Sequence, residues 1–196
     1  MNDISRLAAI ALIFAPLAAC STSPTPQAPL AGAKIGGPFA LTDQNGRTVR
    51  DSDFAGRYRI VYFGYTFCPD VCPVDVQHLA AGLKVFEAMR PALGKKIVPI
   101  FITVDPARDT PAILKQFVSA FHPRMIGLTG TPAQIAAVAK AYAIYYKAQA
   151  PAPGGGYIVD HSRQAYLMDP NGAPVALLPS EGSPQDIADE LAKWVR

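Results

Sequence analysis

Two cysteines and one histidine are the residues of this chain with the clearest capacity for chemistry. Cys68 and Cys72 stand in the segment Cys-Pro-Asp-Val-Cys-Pro, after an apolar run at 58–63, and His161 stands in Asp-His-Ser. Thiolate sulfur is a soft donor that selects Cu(I) or Zn, and imidazole binds both copper and zinc well. These three side chains therefore predict a copper site or a redox-active thiol pair.

The elements around these residues place them at one edge of a predicted sheet. The runs 59–63 and 97–104 have the apolar pattern of strands buried on both faces, and Cys68 follows the first of them. Parallel strands end at the same edge, where open α/β sheets bind ligands. A predicted antiparallel strand over 165–168 begins at that edge, so the loop that carries His161 can close over the cysteines.

The prolines after both cysteines shape the loop between them. A residue before proline is disfavoured in the helical region, so we predict a tight loop over 68–72 and a helix that begins at Pro73. This arrangement puts Cys72 beside the N-cap, where the helix dipole and the free N–H groups lower the pKa of a thiol. A lowered pKa serves metal binding and thiol exchange alike.

The number and spacing of the ligands bear on the choice of metal. Three residues separate Cys68 from Cys72, one more than in the usual thioredoxin-like redox motif, which gives a looser loop that can open around a metal. A structural zinc site takes four protein ligands, whereas this chain offers three good ones. Three ligands at an exposed edge suit a metal that is handed on. A disulfide that only staples the loop is the remaining interpretation.

The order of the predicted elements is that of a thioredoxin-like α/β fold with an N-terminal β-hairpin and a helical insertion. The hairpin has an Asn-Gly turn at 45–46, and a strand–helix–strand unit with parallel strands follows it. The predicted strands are 39–42, 47–49, 59–63, 97–104, 125–128, 144–147, 166–168 and 175–178, and the predicted helices are 73–89, 110–121, 131–142 and 183–195.

The N-terminal residues resemble the export signal of a bacterial lipoprotein. A mostly apolar run over 7–19 is too short to span a bilayer, and Leu-Ala-Ala-Cys ends at Cys20. We predict a signal peptide over 1–19, acylation of Cys20, a linker over 20–34 and one domain over 35–196. The protein is then expected in the bacterial cell envelope, lipid-anchored to a membrane and facing the periplasm or the extracytoplasmic side.

Charge and cysteine content limit the class of partner. The net charge of +3 is too weak to favour nucleic acid as a partner. If Cys20 is acylated, Cys68 and Cys72 are the two cysteines that remain, so they pair with each other or bind a metal. Disulfides persist outside the cytoplasm, and a reduced pair there needs a dedicated reductant.

Three segments surround the candidate ligands: Gly-Tyr-Thr-Phe-Cys-Pro-Asp-Val-Cys-Pro at 64–73, Val-Asp-Pro-Ala-Arg-Asp-Thr-Pro at 104–111 and Val-Asp-His-Ser at 159–162. Together they resemble the signature segments of the Sco/SenC family, in the order and spacing of that family. The resemblance implies a thioredoxin-fold protein that binds Cu(I) or Cu(II) through Cys68, Cys72 and His161. It also implies assembly of the copper A centre of cytochrome c oxidase, with the copper A-bearing subunit as partner. A copper donor protein and a thiol reductase are further candidate partners.

Several charged residues near the candidate site have two interpretations. Asp105 and Asp160 are candidates to orient His161 by contact with the imidazole, and Asp105 is also a candidate contact for a partner. The structural alternatives are that Asp109 caps the helix that follows it and that Arg108 pairs with a neighbouring carboxylate.

Two functions follow from these residues, and a third is weaker. A copper metallochaperone binds and delivers the metal without turnover and uses all three ligands. A thiol-disulfide oxidoreductase that reduces the cysteines of the copper acceptor uses Cys68 and Cys72 as a redox-active pair and needs no imidazole. A thiol peroxidase needs a single reactive cysteine and leaves the pair and His161 unexplained.

Overall fold

Apolar runs of β-branched and aromatic residues form the centre of the fold. The structure, a computed structural model, describes residues 27–196. Tyr58–Gly64 and Ile97–Thr103 are buried at every position and pair with each other as parallel strands. Strands buried on both faces need cover above and below the sheet, which helices provide.

The strands in chain order are β1 (Ala40–Asp43), β2 (Thr48–Arg50), β3 (Tyr58–Gly64), β4 (Ile97–Thr103), β5 (Ile126–Thr129), β6 (Tyr146–Ala148), β7 (Val159–His161), β8 (Ala165–Met168) and β9 (Pro174–Leu178). The helices are α1 (Val71–Met89), α2 (Pro91–Gly94), α3 (Pro111–Phe121), α4 (Pro132–Ala141) and α5 (Pro184–Trp194), with a 3₁₀ turn at Asp51–Phe54. One mixed sheet has the order β2-β1-β5-β4-β3-β8-β9, and β6 pairs with β7 separately. Every predicted strand and helix is present, whereas β7, α2 and the 3₁₀ turn were not predicted.

Local turn and cap chemistry sets the ends of several elements. The β1–β2 hairpin turns at Gly46, whose φ of 78° suits glycine, and the carboxylate of Asp43 accepts the N–H of Asn45 at 2.8 Å. Helices α4 and α5 begin after Thr131 and Ser183, whose hydroxyls accept backbone N–H groups of the first turn. A proline follows each cap at the first helical position, as the sequence predicted.

Helix α1 buries one face against the sheet and α5. Its Gly82 lies so close to α5 that an added Cβ would be 2.6 Å from the Cβ of Ile187. Toward the start of the helix, the buried face also carries the thiol of Cys72 and the carboxylate of Asp75, both 0% exposed. Such a carboxylate needs partners, because a buried unpaired charge is costly. The buried residues of α1 are Cys72, Asp75, Val76, Leu79, Ala80, Gly82, Leu83 and Phe86.

The start of α1 differs from the prediction. The helix begins at Val71 with Asp70 at the N-cap, whereas Pro73 was expected to be its first residue. Proline is tolerated in the first turn because the N–H that it lacks has no partner within the helix. Cys72 is therefore a helical residue.

The segment before β1 lies against the domain. The N–H of Leu30 donates to the carbonyl of Val175 at 3.0 Å, and the Leu30 side chain packs against the core. Packing thus begins within the range predicted as linker, since apolar side chains are available there to bury. The signal peptide predicted at 1–19, Cys20 and the first part of the linker lie outside the described residues. Within 27–196, no helix combines the length and the apolar character that a membrane crossing requires.

Candidate metal centre

Cys68, Cys72 and His161 meet at one point, although His161 is 89 positions from Cys72. One ligand atom from each residue lies within 4.8 Å of the other two. The Sγ of Cys72 is 2.9 Å from the Nε2 of His161, and both cysteines are free thiols. The structure therefore brings together the three side chains that the sequence nominated.

Three different elements supply these ligands. Cys68 lies in the loop that joins β3 to α1, where its N–H donates to the carbonyl of Tyr65 at 3.3 Å. Cys72 is the second residue of α1 and is fully buried. His161 ends strand β7 and pairs with Tyr146 of β6, so it is held by a hairpin and not by the irregular loop that the sequence predicted.

The imidazole of His161 is oriented for metal binding by its own neighbours. Its Nδ1 is 2.8 Å from the carbonyl of Ser162, and a carbonyl only accepts, so Nδ1 carries the proton and Nε2 faces Cys72 with its lone pair. The rings of Tyr62 and Tyr65 meet the imidazole edge-on, at centroid distances of 6.4 and 5.9 Å. Burial lowers the pKa of His161, which favours the neutral form that binds metals.

The two thiols have opposite pKa directions. Burial, the largest effect, and the hydrogen bond with Cys68 raise the pKa of Cys72. Burial also acts to raise the pKa of Cys68, but hydrogen bonds from the N–H and thiol of Cys72 and from the N–H of Asp70 outweigh it and bring that pKa below its usual value. The lowered pKa expected at Cys72 is thus found at Cys68, because the N–H groups at the start of α1 point back toward the loop.

Cys68 should react with iodoacetamide before Cys72. The thiolate is the reactive form, and one pKa unit changes its fraction about tenfold, so we expect modification of Cys68 to be at least ~10-fold faster at pH 7. Peptide mass spectrometry over a time course measures both rates. In the Cys68→Ser variant the fast phase should disappear, and equal rates in the wild type would contradict the assigned directions.

Asp105 contacts the loop before β7 and not His161. Its carboxylate, 4% exposed, accepts the hydroxyl of Tyr157 at 2.8 Å and pairs with Arg108. Arg108 donates to the carbonyl of Tyr157 at 2.9 Å, and its guanidinium lies 3.7 Å from the centroid of that ring. The predicted pairing of Arg108 with a carboxylate is present. Asp105 therefore holds the loop that connects β6 to β7, and the imidazole is oriented by Ser162 instead.

Asp109 ties the cysteine loop to the end of β4. Its carboxylate is fully buried and accepts the N–H of Thr66 at 3.0 Å and the hydroxyls of Thr66 and Thr103 at 2.6 Å each. The cap of α3 is Thr110 and not Asp109, because the Asp109 side chain points inward. Thr66 lies two residues before Cys68, so this carboxylate fixes the start of the loop.

Asp160 lies on the exposed face of β7. Neighbouring residues of a strand point to opposite faces, so the side chain that follows the buried Val159 and precedes His161 faces away from the site. Its carboxylate accepts a hydrogen bond from Gln149. The contact with His161 that the sequence suggested for Asp160 is therefore replaced by the carbonyl of Ser162.

The sequence interpretation missed the buried charge beside the site. Asp75 follows Cys72 by three positions on the same face of α1 and forms an ion pair with Arg163 at 2.7 Å. The available signal was a carboxylate inside an otherwise apolar helical stripe, with an arginine two residues after the ligand histidine. The other described histidines lie elsewhere: His78 is 3.1 Å from the carbonyl of Ser180, and His122 pairs with Glu87.

The donor set fits copper. Two thiols and a neutral imidazole within 4.8 Å of each other offer the soft and intermediate ligands that copper accepts, and Cys68 keeps one side of the group partly exposed. A closed structural zinc site has a fourth protein ligand. The geometry supports a three-ligand site that stays accessible from one side.

Comparisons with known proteins agree with this geometry. A family model described as SCO1/SenC matches residues 27–196. Protein SenC of Rhodobacter capsulatus is 44% identical over 161 residues, 82% of this chain and 71% of that protein. The mitochondrial SCO1 homolog 1 of Arabidopsis thaliana is 39% identical over 171 residues, and the match spans 87% of this chain and 50% of that longer protein.

Solved structures confirm the predicted thioredoxin-like fold. Bradyrhizobium japonicum ScoI with copper bound has a TM-score of 0.74 at 41% identity, over 82% of this chain and 99% of that one. BsSco has a TM-score of 0.60 at 27% identity, over 80% of this chain and 91% of that one. It is described as having a disulfide switch and as a member of the Sco family of cytochrome c oxidase assembly proteins. The thioredoxin domain of a Bacteroides vulgatus thiol-disulfide oxidoreductase, 19% identical with a TM-score of 0.58, supports the fold alone. With a family model that matches residues 27–196 and a relative 44% identical over 82% of this chain, the chain belongs to the SCO1/SenC family.

Proposed function

We propose that the protein is a copper metallochaperone that binds copper through Cys68, Cys72 and His161 and delivers it to the copper A centre of cytochrome c oxidase. The observation that carries this proposal is the meeting of two free thiols and a neutral imidazole within 4.8 Å. The copper-bound ScoI structure and the description of BsSco as a member of a cytochrome c oxidase assembly family support it.

The residues suggest how copper is taken up and released. Binding replaces the thiol protons of Cys68 and Cys72, and the Nε2 lone pair of His161 completes the ligand set. Cys68 is the natural first contact for an arriving ion, because it is partly exposed and has the lower thiol pKa. The same exposure lets thiolates of an acceptor replace Cys68 first, while Cys72 and His161 remain behind it.

His161→Ala should lower the affinity for Cu(I) by about 100-fold or more, since losing a ligand costs at least as much as losing a residue that orients one. Competition with a chromophoric Cu(I) chelator measures the affinity. His78→Ala is the matched control, because that imidazole contacts the carbonyl of Ser180 and not the thiols. Unchanged affinity in His161→Ala, with copper A maturation intact in cells, would overturn the proposal.

A thiol-disulfide oxidoreductase is the second candidate. Both cysteines are free thiols, the pKa of Cys68 is lowered, and BsSco is described with a disulfide switch. This function predicts that His161→Ala reduces the disulfide of a copper acceptor at the wild-type rate, whereas Cys68→Ser and Cys72→Ser do not. The two functions are compatible, because an acceptor must offer its cysteines reduced.

The proposed setting is the bacterial cell envelope. Acylation of Cys20 would tether the domain to a membrane on the periplasmic side, where the acceptor, a copper donor protein and a thiol reductase can meet it. Mass spectrometry of the protein purified from membranes tests the lipid directly, and Cys20→Ser should release the protein into the soluble fraction.

A further inference from the structure

A buried carboxylate lies directly under the ligand group. Asp75 is 0% exposed and three residues along α1 from Cys72, on the same helix face. It accepts three hydrogen bonds: from the hydroxyl of Tyr62 at 2.8 Å, from Nε of Arg163 at 3.0 Å and from Nη2 of Arg163 at 2.7 Å. Its charge is therefore fully partnered.

Arg163 reaches this carboxylate from the histidine side of the site. It follows His161 by two residues, between β7 and β8, and its guanidinium grips Asp75 with two N–H groups. A bidentate contact of this kind fixes the orientation of the two side chains as well as the distance between them. A third N–H group binds Glu181 at 2.5 Å on the outer side. One end of the link is thus in the cysteine helix, and the other is in the segment that carries the histidine.

Tyr62 contacts both the carboxylate of Asp75 and the imidazole of His161. Its hydroxyl donates to Asp75, while its ring meets the ring of His161 edge-on at 6.4 Å. Cys72 and His161, whose ligand atoms are 2.9 Å apart, are therefore both adjacent to one hydrogen-bonded unit. Asp75 is fully buried, whereas the side chain of Arg163 is 37% exposed. An ion pair with a buried carboxylate contributes little net stability compared with apolar packing, so its cost suggests a role in geometry.

We propose that Asp75 and Arg163 are positioning residues of the copper site, which hold the His161 segment against the cysteine helix so that Nε2 and Sγ face the same ion. This inference rests on the proposed function and names residues that do not themselves touch the metal.

Arg163→Met tests the link by removing both N–H contacts at similar side-chain length. We expect copper affinity to fall ~10–100-fold, the usual effect of losing an orienting partner, and the Cu(II)–thiolate absorption and electron paramagnetic resonance signals to change as His161 moves. Arg163→Lys, which restores the charge, should recover part of both. Arg59→Met is the matched control, because it breaks the buried pair with Asp51 at the far end of β3.

The double variant Asp75→Asn with Arg163→Met keeps the test valid if the single variant fails to fold, because it leaves no unpaired buried charge. We expect it to show the same affinity loss and spectral change. A folded Arg163→Met or double variant with wild-type affinity and spectra would overturn the positioning role, while copper binding that depends on His161 would leave the proposed function standing. Wild-type copper affinity in His161→Ala would overturn both.

Discussion

Replacing Cys72 by serine should abolish tight copper binding while leaving the protein folded. A serine hydroxyl is a poor ligand for Cu(I), and the Cys72 sulfur is central to the group, 2.9 Å from Nε2 of His161. We expect a loss of about 1000-fold in Cu(I) affinity, equivalent to about 4 kcal/mol. Competition with a chromophoric Cu(I) chelator under reducing conditions measures it.

Stability should change much less in the same variant. The new hydroxyl is buried but can donate to Nε2 of His161, so the free energy of unfolding should fall by no more than about 1–2 kcal/mol. Val76→Thr is the control, since it also buries a hydroxyl on this face of α1 but removes no ligand. If Cys72→Ser retained wild-type affinity, the two-cysteine site would be wrong.

Asp109→Ala should be strongly destabilising and should also weaken copper binding. The substitution removes the acceptor of three hydrogen bonds, which are donated by the N–H of Thr66 and by the hydroxyls of Thr66 and Thr103. We therefore expect the free energy of unfolding to fall by about 3 kcal/mol. The loop that carries Cys68 then loses its anchor, which should lower copper affinity as well. Urea denaturation measures the stability effect.

Asp109→Asn separates the shape of this side chain from its charge. It keeps the size and one acceptor oxygen, and it should cost about 1 kcal/mol. The exposed Asp160→Ala should cost less than ~0.5 kcal/mol, as surface substitutions usually do. If Asp109→Ala were as mild as Asp160→Ala, the anchoring role of Asp109 would be excluded.

The pH dependence of this effect has a defined sign. Burial, opposed by hydrogen bonds from Thr103 and Thr66, raises the pKa of Asp109 above its usual value. The stability that the neutral carboxyl of Asp109 contributes to the folded protein is then fully present below the usual pKa. It is lost as the pH rises through the raised pKa of the folded state. The cost of Asp109→Asn should therefore be largest near pH 3 and should shrink toward pH 7. A cost that grows with pH would show that the ionised form is preferred.

The strands and helices followed from local patterns. The mostly apolar run over 97–104 indicated a strand buried on both faces, and Thr131 and Ser183 before proline marked two helix starts. Such signals lie within one element, so they survive without knowledge of the fold. The short strand β7 was missed, because Val159–His161 has three residues and forms by pairing with β6.

The site was only partly predictable for a related reason. The cysteines and the histidine could be recognised as candidate ligands by residue type alone. The predicted ends of the strands indicated that these side chains meet at one edge of the sheet. The pKa values of the two thiols depend on tertiary structure. Burial raises the pKa of Cys72, and the N–H of Cys72 favours the thiolate of Cys68 instead. Proximity in sequence suggested Asp160 as the partner of His161, but strand alternation turns it to the opposite face.

The sequence by itself determined the types of the longer elements, the three candidate ligands and the likeness to a known family, because residue chemistry and periodicity are local properties. Tertiary structure alone decided which carboxylates serve the site: Asp105 holds Tyr157, Asp109 holds Thr66, and Asp75 grips Arg163 from 88 positions away. These contacts join segments that are distant in the chain. The free energy of a buried carboxylate depends on every group packed around it, and no local pattern carries that information.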